Sequence, residues 1–256
     1  MESDASLAAE LAAARDGRQT IPARGGLSLD SAYELAADLE RERVSAGWRP
    51  AGWKLGFTNQ TRWSRLGLDR PIRARIYRET IWAESLAAAE LVQPLIEPEV
   101  VFGIGVDLAR DAELDAIAAA VEWAAAGLEV VQCHFEGWNM TPAEAIADAG
   151  VHAALAIGRP TEVDAAGAHE LAEARCELFR DGVLVATGRG ADVLGGPLEA
   201  LRWLVQSLPD GLKAGEIVTT GTLTEALPVE PGHRWEHRLL AEIAFRPVEL
   251  EVSGTG

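Results

Sequence analysis

Two textures meet near residue 50 of this 256-residue chain, and the change between them limits what it can fold into. Before it, residues 5–16 (ASLAAELAAARD) and 28–46 (SLDSAYELAADLERERVSA) are rich in Ala, Leu and Glu with apolar positions at helical spacing, which predicts two helices. Pro22 and the pair Gly25-Gly26 separate them, and Ser28, Asp30 and Ser31 offer caps for the second. After residue 50, short apolar runs alternate with Gly, Pro and Asp, the texture of strands and turns. Strands are predicted at 52–57, 95–105, 127–135, 151–157, 173–180, 183–188, 215–220 and 235–251, with Asp181-Gly182 as a tight hairpin turn. Helices are predicted to interrupt them at 111–126 and 197–208, the latter with Pro197 in its first turn. Helices clustered early and strands clustered late define an α+β fold with a mainly β core. The expected division is a helical N-terminal segment over 1–80 and a β-rich catalytic domain over 81–256.

Charge and cysteine content exclude several classes of partner. The chain carries 23 Lys and Arg against 40 Asp and Glu, a net charge of -17, which repels a phosphate backbone. Its two cysteines, Cys133 and Cys176, lie in apolar or alternating segments where a free thiol acts as a small hydrophobe, as in a reducing cytoplasm. Met1 to Gln19 has no apolar stretch of the length a secretory leader needs, and no run approaches the roughly 18 apolar residues of a membrane span. The expectation is a soluble cytoplasmic protein with neither nucleic acid nor membrane as partner.

The chemistry concentrates in acids placed among apolar residues. In LIEPEVVFGIG (95–105), Glu97 and Glu99 stand at i and i+2 of one strand, so both leave by the same face. Burying two adjacent carboxylates is costly unless they share a proton or a cation neutralises them, and a hard divalent ion such as Mg²⁺ or Mn²⁺ suits oxygen ligands. Glu129 adds a third acid in another apolar strand, GLEVVQCHF (127–135). Three carboxylates on neighbouring strands would supply half an octahedron, leaving room for water and a chelating substrate.

The blocks WKLGFTN (53–59), IEPEVVFGIG (96–105), GLEVV (127–131), the stretch from Trp138 to the IADAG ending at Gly150, ATGRGADVLGGPLEALRWL (186–204) and LKAGEIVTTGTL (212–223) occur in an order and spacing that is similar to a known family. From Trp53 to Pro231 the chain resembles the 2-keto-4-pentenoate hydratase and 4-oxalocrotonate decarboxylase group of the fumarylacetoacetate hydrolase superfamily. The resemblance implies a mixed β-sandwich roll preceded by a helical segment, with Glu97, Glu99 and Glu129 as metal ligands. It implies a catalytic Lys54, which orients substrate or shuttles protons, and a Gly221-Thr222 turn that approaches the substrate carboxylate. It implies a lyase that takes a small anionic 2-oxo or 2-hydroxydienoic acid, as a hydratase of the type converting 2-hydroxypenta-2,4-dienoate to 4-hydroxy-2-oxopentanoate. A decarboxylase of an oxalocrotonate-like acid and an isomerase or cyclase of a β-dicarbonyl compound are the alternatives. A homo-oligomer, complexed with a pathway neighbour in aromatic catabolism, belongs to the same picture. The glycines Gly188, Gly190, Gly195 and Gly196 lack the strand, Gly-x-Gly-x-x-Gly and helix order of a dinucleotide site.

Two segments depart from the family pattern. Where a lid aspartate is expected, PIRARIYRETIW (71–82) presents Arg78, with Glu79 beside it as a replacement acid. Arg73, Arg75 and Arg78 suit an anionic substrate, since guanidinium groups grip carboxylates bidentately, and Arg75 is the substrate-binding candidate among them. In IADAGVHAALAIG (146–158) the shared Asp148 is a substrate-binding candidate, while Val151 and His152 replace small polar residues. His152 reads as a new acid or base near neutral pH, against the alternative of a hydrogen-bonded core histidine.

Overall fold

The apolar spacing that predicts two leading helices holds in the computed structural model of the chain, which describes residues 2–82 and 85–254. Helix α1 spans Glu2–Gly17 and α2 spans Leu29–Ser45, the second capped by Ser28, whose hydroxyl accepts from Ser31 N at 3.1 Å. Leu7, Leu11 and Ala14 of α1 are buried, and the two leucines pack with Cys133, Phe135 and Ala147. Ala32 of α2 is buried against Ala143, Ala145 and Ile146. Short helices α3 (Trp63–Leu66), α4 (Leu114–Ala120), α5 (Pro142–Ala147) and α6 (Ala165–Glu170) precede α7 (Pro197–Ser207). Pro197 stands in the first turn of α7, which buries Leu198, Leu201, Leu204 and Val205.

The first seven strands are β1 (Pro50–Gly56), β2 (Ile72–Tyr77), β3 (Ile81–Trp82), β4 (Ser85–Ala87), β5 (Leu95–Ile104), β6 (Val121–Val131) and β7 (His152–Ile157). The rest are β8 (Thr161–Glu162), β9 (Arg175–Arg180), β10 (Val183–Arg189), β11 (Ile217–Thr222), β12 (Leu227–Pro228), β13 (Arg234–Leu240) and β14 (Val248–Ser253). The large sheet runs β2-β1-β11-β5-β6-β7-β3, with β12 beside β5 and β8 beside β6. The smaller sheet runs β10-β9-β13-β14-β4. Apolar residues of the smaller sheet, among them Trp235, Leu178, Leu239 and Leu250, join those of β5 and β6 in one core. Polar contact ties the layers too, for the buried His237 Nδ1 donates to Gly127 O at 3.0 Å. The α+β expectation stands. Among the described residues no helix is long and apolar enough to cross a membrane.

Three local expectations are corrected. The helical segment ends at Ser45 rather than near residue 80, because β1 and β2 are members of the large sheet, so a boundary at 80 would cut it. The helix predicted over 111–126 stops at Ala120, and Val121 begins β6. Residues 124–131 are buried on both faces between β5 and β7, and that tertiary packing overrides the helix propensity of the alanines. The segment 71–82, for which no strand is predicted, contains β2, antiparallel to β1 with Ala74 opposite Lys54 and Arg75 opposite Trp53. By contrast, the Asp181-Gly182 turn is as expected, with φ of 52° and 78° and Arg180 facing Val183. Both cysteines are buried free thiols, and burial pushes each up to about 12.

Because Leu11 is 1% exposed and packs on Phe135, Leu11→Ala is expected to destabilise the protein by about 2–3 kcal/mol in urea titration. A change below about 0.5 kcal/mol would show that α1 contributes nothing to the folded unit.

Candidate active site

Strand register, rather than proximity in sequence, brings the three glutamates together. β5 and β6 place Glu97 directly opposite Glu129, and Glu99 leaves the same face two residues on, opposite Thr222 of β11. One carboxylate oxygen from each lies within 4.8 Å of the others. Glu99 and Glu129 are fully buried, while Glu97 lines a cavity of about 610 Å³.

Each acid is fixed by a different element. Glu99 Oε2 accepts from Gly221 N at 2.8 Å, in a turn where Gly221 has φ +105° and a Cβ would fall 2.1 Å from Thr58 Oγ1. Glu129 Oε1 accepts from His152 Nδ1 at 2.7 Å, and His152 Nε2 is hydrogen-bonded to Thr80 Oγ1 at 2.8 Å. Lys54 reaches in from β1, where its Nζ donates to Gly150 O at 3.1 Å and stands 3.4 Å from Glu129 Oε2. Gly150 is the centre of three successive left-handed residues, Ala149, Gly150 and Val151, with φ of 57°, 63° and 57°. A β-branched valine there is strained by about 1–3 kcal/mol, a cost seen where a turn serves a site.

The charges do not balance within the protein. Burial pushes Glu99 well above the usual carboxylate range, with Glu129 and Glu97 adding to it. Burial likewise raises Glu97 to about 7, against the pull of Lys54. For Glu129, burial acts upward but Lys54 and His152 outweigh it and hold it low. Burial pulls Lys54 down, yet the three glutamates more than compensate and keep it an ammonium. Glu99 Oε1 and Glu129 Oε2 are buried with no hydrogen-bond donor among the described residues. Two orphaned oxygens beside a third open carboxylate are the donor set of a hard divalent cation, and the residues present fit one.

The other sequence-designated residues divide sharply. Thr222 lines the cavity, its Oγ1 donating to Thr224 O at 3.1 Å. His152 is buried behind Glu129, which its Nδ1 orients, and it does not line the cavity. Glu79 is engaged by Arg49 through N (2.9 Å) and Nε (3.0 Å) and lines no part of the cavity. Arg75 leaves β2 on the face of Trp53, opposite to Lys54, stacked 3.7 Å over that ring and paired with Glu40 and Glu216. Strand alternation therefore excludes Arg75 from the site. Asp148 is buried away from the cavity, accepting from His134 N (2.9 Å), His134 Nδ1 (2.9 Å) and Arg15 Nη2 (3.2 Å). It secures the turn that carries Gly150 instead of binding substrate. Sequence reasoning missed Thr80, Thr58, Arg62 and Asp192; the last three line the cavity. Thr58 and Asp192 stood inside the WKLGFTN and ATGRGADVLGGPLEALRWL blocks and Thr80 inside the 71–82 segment, whereas nothing local marks Arg62.

The rolled sheet thus carries a buried three-carboxylate cradle fit for a divalent cation, with a lysine beside it. A profile described as Fumarylacetoacetate (FAA) hydrolase C-terminal matches residues 73–246, and the chain belongs to that family. Relatives match over a larger share of the chain. The 2-keto-4-pentenoate hydratase 1 of Dechloromonas aromatica (strain RCB) is 30% identical over 246 residues, covering 92% of each chain. The 2-hydroxyhexa-2,4-dienoate hydratase of Comamonas testosteroni is 29% identical, covering 82% of each. Among solved structures, 4-oxalocrotonate decarboxylase from Pseudomonas putida G7, complexed with magnesium and adipate, superposes with a TM-score of 0.88 at 22% identity, covering 98% of this chain and 97% of that one.

Glu129→Gln is expected to abolish Mg²⁺ or Mn²⁺ binding in calorimetric titration, and His152→Gln to weaken it on the order of 10–100-fold. Unchanged affinity in both would remove the cluster as a metal site. Without metal, Glu97 keeps its proton to about 7 in the folded protein against 4.5 for the free group, so the folded state binds more protons in that window. Stability of chelator-treated protein should therefore fall as pH rises through it, and added Mg²⁺ should remove the fall. A melting temperature flat in pH would contradict the buried cluster.

Proposed function

We propose that this chain is a divalent-metal-dependent hydratase of small 2-hydroxydienoic acids, of the type that converts 2-hydroxypenta-2,4-dienoate to 4-hydroxy-2-oxopentanoate. The observation that carries the reading is the convergence of Glu97, Glu99 and Glu129 with Lys54 at one end of the 610 Å³ cavity. The hydratase names of relatives 29–30% identical over most of the chain support it.

Glu97, Glu99 and Glu129 would hold a Mg²⁺ or Mn²⁺, which would supply Lewis-acid charge for an anionic oxo-acid substrate. Lys54 adds a second positive charge at that end, fixed in direction by Gly150 O and Glu129. Glu99, oriented by the Gly221 N–H, and Glu129, oriented by His152, are kept from rotating away from the substrate end. Phe57, Ile72, Leu95, Val131, Trp138 and Met140 give the cavity an apolar wall suited to a diene chain and low in water. Ketonisation of the dienol places a proton on C5, and conjugate hydration then adds water at C4, with one proton lost from that water and one gained at C3, so both steps need a proton-transfer group along the chain. With Glu79 outside the cavity, Asp192 and Glu225 are the carboxylates on that wall besides Glu97, and Glu225 is bound to Arg62. We assign the proton transfer to Asp192, one oxygen of which accepts from Arg189 N at 2.8 Å. The proposal extends to a homo-oligomeric cytoplasmic enzyme of aromatic catabolism, on the strength of the family resemblance alone.

The test is incubation of the purified protein and Mg²⁺ with 2-hydroxypenta-2,4-dienoate, following dienol absorbance and products by NMR. The expected product is 4-hydroxy-2-oxopentanoate; ketonisation without hydration would sink the hydratase reading. Lys54→Ala and Asp192→Asn should each lower kcat on the order of 10²-fold or more, whereas Glu79→Gln should retain wild-type turnover.

A further inference from the structure

A buried hydroxyl on the cavity wall has no partner of its own. Thr58 is 2% exposed and lines the cavity, yet its Oγ1 makes no hydrogen bond among the described residues. The other hydroxyls of that wall are accounted for. Thr61 Oγ1 donates to Asn59 Oδ1 (2.6 Å), Thr222 Oγ1 to Thr224 O (3.1 Å) and Thr224 Oγ1 to Glu225 O (2.9 Å), while Thr187 is exposed. Buried polar groups are otherwise paired almost without exception, so an unpaired one facing a cavity points to a ligand.

The backbone around this hydroxyl is fixed on both sides. Just past the end of β1, Phe57 takes a left-handed conformation with φ 55°, a strain kept where a turn aims a side chain. Phe57 O accepts from Trp63 Nε1 at 2.6 Å, and Thr58 O accepts from Leu194 N at 3.2 Å. The hydroxyl lodges against Gly221, since a Cβ on that glycine would strike Thr58 Oγ1. Gly221 N in turn donates to Glu99 Oε2 at 2.8 Å. Thr58 therefore stands at the glutamate end of the cavity, where the Thr222 hydroxyl already spends its hydrogen on Thr224.

We propose that Thr58 is a substrate-binding residue, whose hydroxyl donates a hydrogen bond to the carboxylate of a 2-oxo acid seated at the glutamate end. This rests on the oxo-acid reading of that end. An anionic acceptor suits the position, because a hydrogen bond to a charged oxygen is roughly twice as strong as one between neutral groups. A hydroxyl also orients the acid without changing the charge balance that Lys54 and the glutamates set.

The test is calorimetric titration of the full chain in saturating Mg²⁺ with 2-oxopentanoate, comparing wild type, Thr58→Val and Thr58→Ser. Valine keeps the shape of the side chain and removes the hydroxyl. Thr58→Val should weaken 2-oxopentanoate on the order of tenfold, Thr58→Ser should stay within about twofold of wild type, and Mg²⁺ affinity should be unchanged in both. Because the hydroxyl has no protein partner to lose, unliganded Thr58→Val should melt at or above the wild-type temperature. Undiminished ligand affinity in Thr58→Val, a loss of Mg²⁺ affinity matching the loss of ligand, or a lowered melting temperature would each overturn the assignment while leaving the oxo-acid reading intact. Failure of the wild type to bind 2-oxopentanoate overturns that reading and this one together.

Discussion

Mutual repulsion among three carboxylates in the interior of a sheet is the constraint around which this molecule is arranged. Glu97, Glu99 and Glu129 converge because β5 pairs in register with β6, and two of them have no access to water. Such a cluster is tolerable only if the surroundings hold it in place and something positive enters it. Lys54 from β1, His152 from β7 and the Gly221 amide from β11 each come from a different strand, so the cluster presupposes the whole large sheet. What they leave over, the unpartnered Glu99 Oε1, a Glu129 Oε2 met only by the Lys54 ammonium, and Glu97 on the cavity, is a cradle fit for a cation.

The helical start serves the same centre from behind. Arg15 of α1 donates to Ala147 O at 2.8 Å and to Asp148, and Asp148 in turn holds His134. Immediately after it come the left-handed residues 149–151, whose middle carbonyl faces Lys54. Helix α2 packs on α5 just ahead of that turn. The Gly150 site tolerates no side chain, since a Cβ there would lie 2.4 Å from Ala74 Cβ. Contacts made by the N-terminal helices therefore reach Lys54 through one strained turn, which gives α1 a reason to be docked by buried leucines.

The metal trio was legible because isolated acids in apolar strands are conspicuous, and i, i+2 spacing fixes their common face. Helices α1, α2 and α7 were legible from periodicity and from Ser28 and Pro197. The alanine run 121–126 was not, because both faces of β6 are covered and alanine fits a crowded strand as well as a helix. The fate of Arg75 was written in the sequence but read past: alternation in IRARIY places Arg73 and Arg75 on one face and Ile72, Ala74 and Ile76 on the other, with Lys54. Glu79 and Asp148 went astray for a different reason. Their partners, Arg49 and the pair Arg15 and His134, are supplied by tertiary structure that no local pattern announces. His152 shows the intermediate case, a core histidine whose hydrogen bond fixes Glu129 of the carboxylate cluster.

The central claim is that Glu97, Glu99 and Glu129 together hold a divalent cation facing the cavity. Anomalous diffraction from crystals grown with Mn²⁺ tests it most directly. The expected result is one strong peak within coordination distance of an oxygen from each of the three glutamates. A peak elsewhere, or none at the cluster despite saturating Mn²⁺, would contradict the account.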